Sequence, residues 1–249
     1  MSFKRATWIR ATLLLLVTYL LILLATAPAT LLGKLMPKGI LLTQLSGSMW
    51  QGSAAKIAFS SPLGWIQVHD VSWDVQWAYL LRGELALRLE SADAAGNLIV
   101  ARSLNDLRIV QADITLPAAD LAVMIPQLAL WQPEGEVQFQ TQGFALAAST
   151  SSMATLSWHN AALKLSAQQT LGDYQLQLRS VQQQVQAQLA TLQGELQLEG
   201  KGGYSSQNGL QFQGTAQAEP SHATELKALL DSLGRDRGDG VRQISIGQP

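Results

Sequence analysis

Along most of the chain, apolar and polar residues alternate one by one. Val71, Trp73, Val75 and Trp77 share one parity, with Ser72, Asp74 and Gln76 between them. Leu85, Leu87 and Leu89 interleave with Glu84, Ala86, Arg88 and Glu90, and Val137 and Phe139 with Gln138 and Gln140. The same holds for Tyr174, Leu176 and Leu178, for Leu196 and Leu198, and for Leu210 and Phe212. A period of two predicts antiparallel strands with one buried and one wet face. A short pattern recurs at strand starts: Gly83-Glu84-Leu85, Gly135-Glu136-Val137 and Gly194-Glu195-Leu196. The copies are unevenly spaced, which points to one sheet extended by successive meanders and not to a strict repeat.

Three stretches break the alternation. Ala11 to Ala29 is an uncharged, leucine-rich run preceded by Lys4, Arg5 and Arg10. A run of about 18 apolar residues is enough for a membrane-spanning helix, and leading positive charge favours a cytoplasmic N-terminus. Ala25-Thr26-Ala27 resembles a signal-peptide cleavage site, but Pro28 would follow the cut, so an uncleaved anchor is expected. Pro117 suits the first position of a short helix carrying Leu121, Met124, Ile125 and Leu128, limited by Pro126. Near the end, Ser221 is placed to cap a helix with Leu226, Leu229, Leu230 and Leu233 in an i, i+3, i+4, i+7 stripe, and Gly234 follows it. Ala147 to Ala154 reads as a loop, Arg235 to Gly240 as a turn, and Val241 to Ile246 as a last strand.

The expected architecture is therefore mainly β: a single N-terminal transmembrane helix, then a curved antiparallel β-sheet domain with two short helices. Residues 1–10 would be cytoplasmic, 11–30 the anchor and 31–249 a periplasmic β domain. Composition adds exclusions. The net charge of −1, with no cluster of Lys and Arg, argues against a nucleic-acid partner. The chain has no cysteine, so disulfides and thiolate metal sites are excluded.

Candidate chemistry is sparse. His69, His159 and His222 lie far apart in sequence with no H-x-x-x-H spacing, so a histidine metal centre would need all three to converge. There is no G-x-S-x-G, and Gly200-Lys201-Gly202-Gly203 lacks the form of a phosphate loop. Glu84, Glu136 and Glu195 read as solvated charge at strand starts. No catalytic, cofactor-binding or metal-ligating residue is assigned, and the chain is not expected to be an enzyme.

The tryptophans carry more information. In LSGSMWQG, Gly47 and Gly52 bracket Trp50; strand glycines mark bulges or close backbone approach. They are expected to let the first strand bend sharply, with Trp50 covering the end of the apolar face. Trp73 and Trp77 are expected in the core. Interaction candidates are thus Gly47, Trp50, Gly52, Trp73, Trp77 and the stripe Leu226, Leu229, Leu230 and Leu233.

In this order, the apolar run, G-S-M-W-Q-G, Val71-Ser72-Trp73-Asp74-Val75, Gly83-Glu84-Leu85 and Gly194-Glu195-Leu196-Gln197-Leu198-Glu199-Gly200 resemble the type II secretion system protein N family. The resemblance extends through Pro117 to Ile125 and the closing Glu225 to Gly234 segment, nearly the whole chain. It implies an inner-membrane component of a general secretion pathway, contacting platform proteins and the lipid bilayer, with no cofactor. G-x-x-W-x-G is also similar to the start of AsmA-like proteins, which implies the alternative of a curved sheet shielding lipid in an apolar groove.

Overall fold

The computed structural model describes residues 2–36, 39–61, 64–103, 107–124, 129–145, 151–164, 168–182, 184–205 and 207–247. Helix α1 (Ser2–Ala25) leads through a turn into α2 (Thr30–Leu35). A hairpin follows, β1 (Ile40–Gly47) and β2 (Gln51–Ser61), then β3 (Gly64–Val75), a single helical turn α3 (Trp77–Leu80), β4 (Leu85–Ser91) and β5 (Ala94–Arg102). β6 (Leu107–Pro117) runs into α4 (Ala118–Met124), and β7 (Pro133–Thr141) precedes the two-residue β8 (Phe144–Ala145). The long pair β9 (Ser152–Lys164) and β10 (Gln168–Val181) is followed by β11 (Gln184–Gln193), β12 (Leu196–Ser205) and β13 (Gly209–Ala218). A 3-10 turn (Pro220–His222) leads to α5 (Lys227–Leu233), and β14 (Arg235–Asp236) and β15 (Arg242–Ile246) close the chain.

All the strands belong to one antiparallel sheet, ordered β1-β2-β3-β4-β5-β6-β7-β9-β10-β11-β12-β13-β15-β14, with β8 attached to β6. Nearly every strand lies beside the one that precedes it in sequence, so the expected meander is present. The sheet is open and not strongly curled, which corrects the expected curvature. Five α-helices are found among the described residues, where an anchor and two short helices were expected. Of the 117–128 helix, α4 takes up Ala118 to Met124, with Pro117 ending the strand before it; Ile125, Pro126 and Leu128 lie outside the described residues. The expected loop at 147–154 is already strand from Ser152.

The expected transmembrane anchor is also corrected. Among the described residues, no helix is long and apolar enough to cross a membrane. The single-pass inner-membrane assignment, with a periplasmic C-terminal domain, rested on that anchor and falls with it.

The alternation places apolar clusters on both faces of the sheet. One face of β2–β4 carries Ala54, Trp73, Leu87 and Leu89, packed under Ala29 and Leu32. Ala86 points the opposite way, into a cluster with Ile99, Ala101, Val110 and Tyr79 of α3. The largest core lies under α5, where Leu226, Leu229 and Leu230 bury against Leu163, Leu171, Tyr174 and Leu196. Burying three such leucines contributes roughly 5–9 kcal/mol before the entropy of ordering them, enough to seat a seven-residue helix that could not form alone.

Candidate functional site

The LSGSMWQG stretch forms a hairpin turn, not a bend within one strand. Gly47 ends β1 and pairs with Gly52 of β2. Gly47 has φ +82°, and a Cβ there would lie 2.7 Å from the Gln51 carbonyl oxygen. A Cβ on Gly52 would lie 2.6 Å from both the Ser46 carbonyl oxygen and the Trp73 ring. Both glycines are needed because the chain turns within contact of its own backbone. The Ser48 hydroxyl accepts from the Gln51 N–H at 3.1 Å, tightening the turn.

That turn receives the end of α1. The Met49 N–H donates to the Ala27 carbonyl at 2.9 Å, and the Ala29 N–H to the Gly47 carbonyl at 3.0 Å. The Trp50 indole N–H donates to the Leu24 carbonyl at 2.8 Å. The last carbonyls of a helix have no partner within it; that of Leu24 accepts from the Trp50 indole and, at 3.2 Å, from the Ala27 N–H. Its ring lies 5.2 Å from that of Trp77, tilted by 35°. Trp73 is in the core as expected, 6% exposed, with its indole N–H directed to the Met49 carbonyl. Trp77 is not: it is 59% exposed, because β3 ends at Val75 and α3 turns it onto Trp50.

The second candidate lies beneath the other helices. α4 and α5 bridge the apolar face of β7–β12, and between helices and sheet remains a cavity of about 430 Å³. Its walls include Leu121, Leu229, Leu233, Val137, Leu176 and Leu198. Two polar side-chain atoms are turned out of it. The Tyr174 hydroxyl donates to the Leu196 carbonyl at 2.8 Å, and the Trp158 indole N–H to the Glu134 carbonyl at 3.0 Å. Burial, aided by the charges of Asp173 and Glu195, holds the Tyr174 hydroxyl well above the ordinary tyrosine range. The leucine stripe therefore covers the apolar face as expected, with Leu233 only partly buried. The AsmA-like alternative implied a curved sheet shielding lipid in an apolar groove. Here the sheet is not strongly curled, and α5 lies across its apolar face.

The polar groups fall into separate places. His69 is a joint: its N–H donates to Asp93 Oδ2 at 2.7 Å and its Nδ1 lies 3.2 Å from the same oxygen, tying β3 to the β4–β5 turn. Glu84 is paired with Arg108 at 2.7 Å, so it joins strand β6 to the start of β4 instead of standing solvated. His159 sits in β9 opposite Glu136. His222 lies beside Glu195 and Glu225. The three histidines do not converge on one another. Neither the Trp50–Leu24 contact nor the grouping at His222 follows from spacing, because each joins segments distant in sequence.

Comparison with known proteins completes the picture. The family described as "Type II secretion system (T2SS), protein N" matches residues 38–245, from just before β1 to the last strand. A type II secretion system protein N from Pectobacterium carotovorum subsp. carotovorum is 24% identical over 236 residues, covering 93% of each chain. Its counterpart from Vibrio cholerae serotype O1 is 25% identical over 114 residues, 44% of each chain. No solved structure matches. The matched region takes in the whole sheet apart from its last residue, and the chain belongs to the type II secretion system protein N family.

Proposed function

We propose that this chain serves a type II secretion system through protein–protein contacts and without catalysis, and that its contact element is the outer edge of β1. The observation that carries this reading is the asymmetry of the open sheet. At one end stands β1, eight residues long, with no strand on its outer side among the described residues. At the other end the sheet closes on β14, two residues long. A free edge offers a row of backbone donors and acceptors to an added strand, and proteins usually blunt such edges. One end here is blunted; at the other, Ala29 bonds to β1 at Gly47, and among the described residues no strand lies beside the stretch around Leu41. Leu41, 60% exposed on β1, adds an apolar side chain to that edge. The partner that fits is an extended segment of another secretion-system component, recognised by strand addition.

The test places a photo-reactive residue at Leu41 in secreting cells, with a control at Lys201 on β12. The expected result is an adduct with another component of the secretion system from position 41 and none from 201. Replacing Leu41 by Asp is expected to reduce both adduct and secretion while leaving the protein folded. Adducts from 201 alone would move the contact elsewhere, and unchanged secretion after deletion of the gene would overturn the role itself.

A further inference from the structure

We propose that Glu195, His222 and Glu225 form a binding site for a divalent transition metal of the zinc class. One donor atom from each lies within 4.8 Å of the others. Glu195 comes from the turn between β11 and β12, His222 closes the 3-10 turn, and Glu225 follows one helical turn later. The Leu226 N–H donates to the His222 carbonyl at 3.0 Å, so 222–226 is wound as a helical turn. That winding puts His222 and Glu225, three residues apart, on one side. The Glu219 N–H donates to the Glu195 carbonyl at 2.7 Å and fixes the two segments side by side.

The spacing suits an ion. His222 Nε2 and Glu195 Oε1 are 3.5 Å apart. Two ligands on arms of about 2.0–2.2 Å around a tetrahedral ion sit about 3.3–3.6 Å apart. The other imidazole nitrogen is already engaged, with Nδ1 3.0 Å from the Ser221 hydroxyl. A ligating histidine commonly donates its second N–H in this way, which leaves Nε2 with its lone pair toward the metal. Ser221 therefore orients a ligand and does not cap the helix; α5 begins only at Lys227 and has no side-chain cap. One imidazole and two carboxylates make a three-ligand set for zinc, with a fourth position open to water. Glu225 is exposed, so the site is reached from solvent. Its consequence is local: an ion there clips the segment leading into α5 onto the β11–β12 turn, and so fastens the helix that roofs the apolar cavity.

The experiment uses the full-length protein, freed of metal by chelation and titrated with Zn²⁺ against a chromophoric chelator. The expected result is one zinc per chain, lost in His222→Gln and in Glu225→Gln and retained in His69→Gln. Ser221→Ala should weaken binding about tenfold, as loss of an orienting partner does. Co²⁺ should give the visible bands of a four-coordinate ion in the unmodified protein and not in His222→Gln. Zinc should raise the melting temperature of the former alone. Circular dichroism establishes that each variant is folded, and both glutamine variants replace side chains that are at least partly exposed. Equal zinc uptake by the unmodified protein and His222→Gln, or none by the folded unmodified protein, would overturn the proposal. Neither result bears on the β1 contact.

Discussion

Trp50 ties α1, the β1–β2 turn and α3 together through one side chain, so its contributions separate by substitution. Trp50→Phe keeps a ring against Trp77 and removes the donor to the Leu24 carbonyl, which should cost about 1 kcal/mol. Trp50→Ala removes the ring pair as well and should cost a further 0.5–1.5 kcal/mol or so, read as successive drops in the urea midpoint. Tyr174 makes a prediction about pH. Its folded pKa is raised above the ordinary value near 10, chiefly by burial, so the native state holds a proton that the unfolded chain gives up. The stability it contributes is full below about pH 10 and is lost as pH climbs toward the folded value. Tyr174 should ionise only above the ordinary tyrosine range, its absorbance change coinciding with alkaline unfolding; Tyr174→Phe should remove that coincident step. At this scale the sequence named Gly47, Trp50, Gly52 and Trp73 but misplaced Trp77. Parity continues past Val75 on paper, and nothing in the alternation shows where a strand gives way to a helical turn.

α5 is held by its leucines on one side and by Arg242 at its end. Arg242 is almost fully buried and spans from Asp231 of α5, at 2.5 Å, to Asp236 of β14. Leu229→Ala should cost about 2–5 kcal/mol in urea unfolding, because the residue is 2% exposed and the wall it leaves cannot fully collapse. Leu233→Ala should cost clearly less, since that side chain is only partly buried. Arg242→Gln should free the C-terminal end of α5, seen as faster amide exchange over Lys227–Leu233 with β2–β4 unchanged. Asp236 adds a pH term. The Gly238 N–H, and then Arg242, hold its carboxyl below the usual range. That stability is present above the ordinary carboxylate value and fades as pH falls through the depressed one, and it should be reduced in Arg242→Gln. The leucine stripe was legible because 3.6-residue spacing stands out against alternation. The start of α5 was not, since Pro220 begins a separate 3-10 turn that takes Ser221 away from the helix. α2 and α3, six and four residues long, are too short for any period to register.

Across the whole molecule, strands mostly pair with their sequence neighbours, so interactions pass along the sheet from each strand to the next. Stability in such an array is close to a sum of neighbour terms. Leu196→Ala should therefore speed amide exchange in β10–β13 and α5 while leaving β2–β4 protected, a contrast read in one exchange experiment. The strands and the meander were legible, because a two-residue period and glycine-marked starts recur along the chain. Openness was not: alternation serves a curled sheet and a flatter one equally, and twist depends on contacts between strands that no single strand encodes. The meander also has a consequence for synthesis. Each strand leaving the ribosome finds its partner already made, so the sheet can grow vectorially, with one template edge at a time. The exception is the close: α5 needs Leu163, Leu171, Tyr174 and Leu196 in place before it can settle, so the roof of the cavity goes on last. A chain halted before Leu226 would carry an uncovered apolar face and an unfinished edge together, the state in which a nascent chain most needs a chaperone.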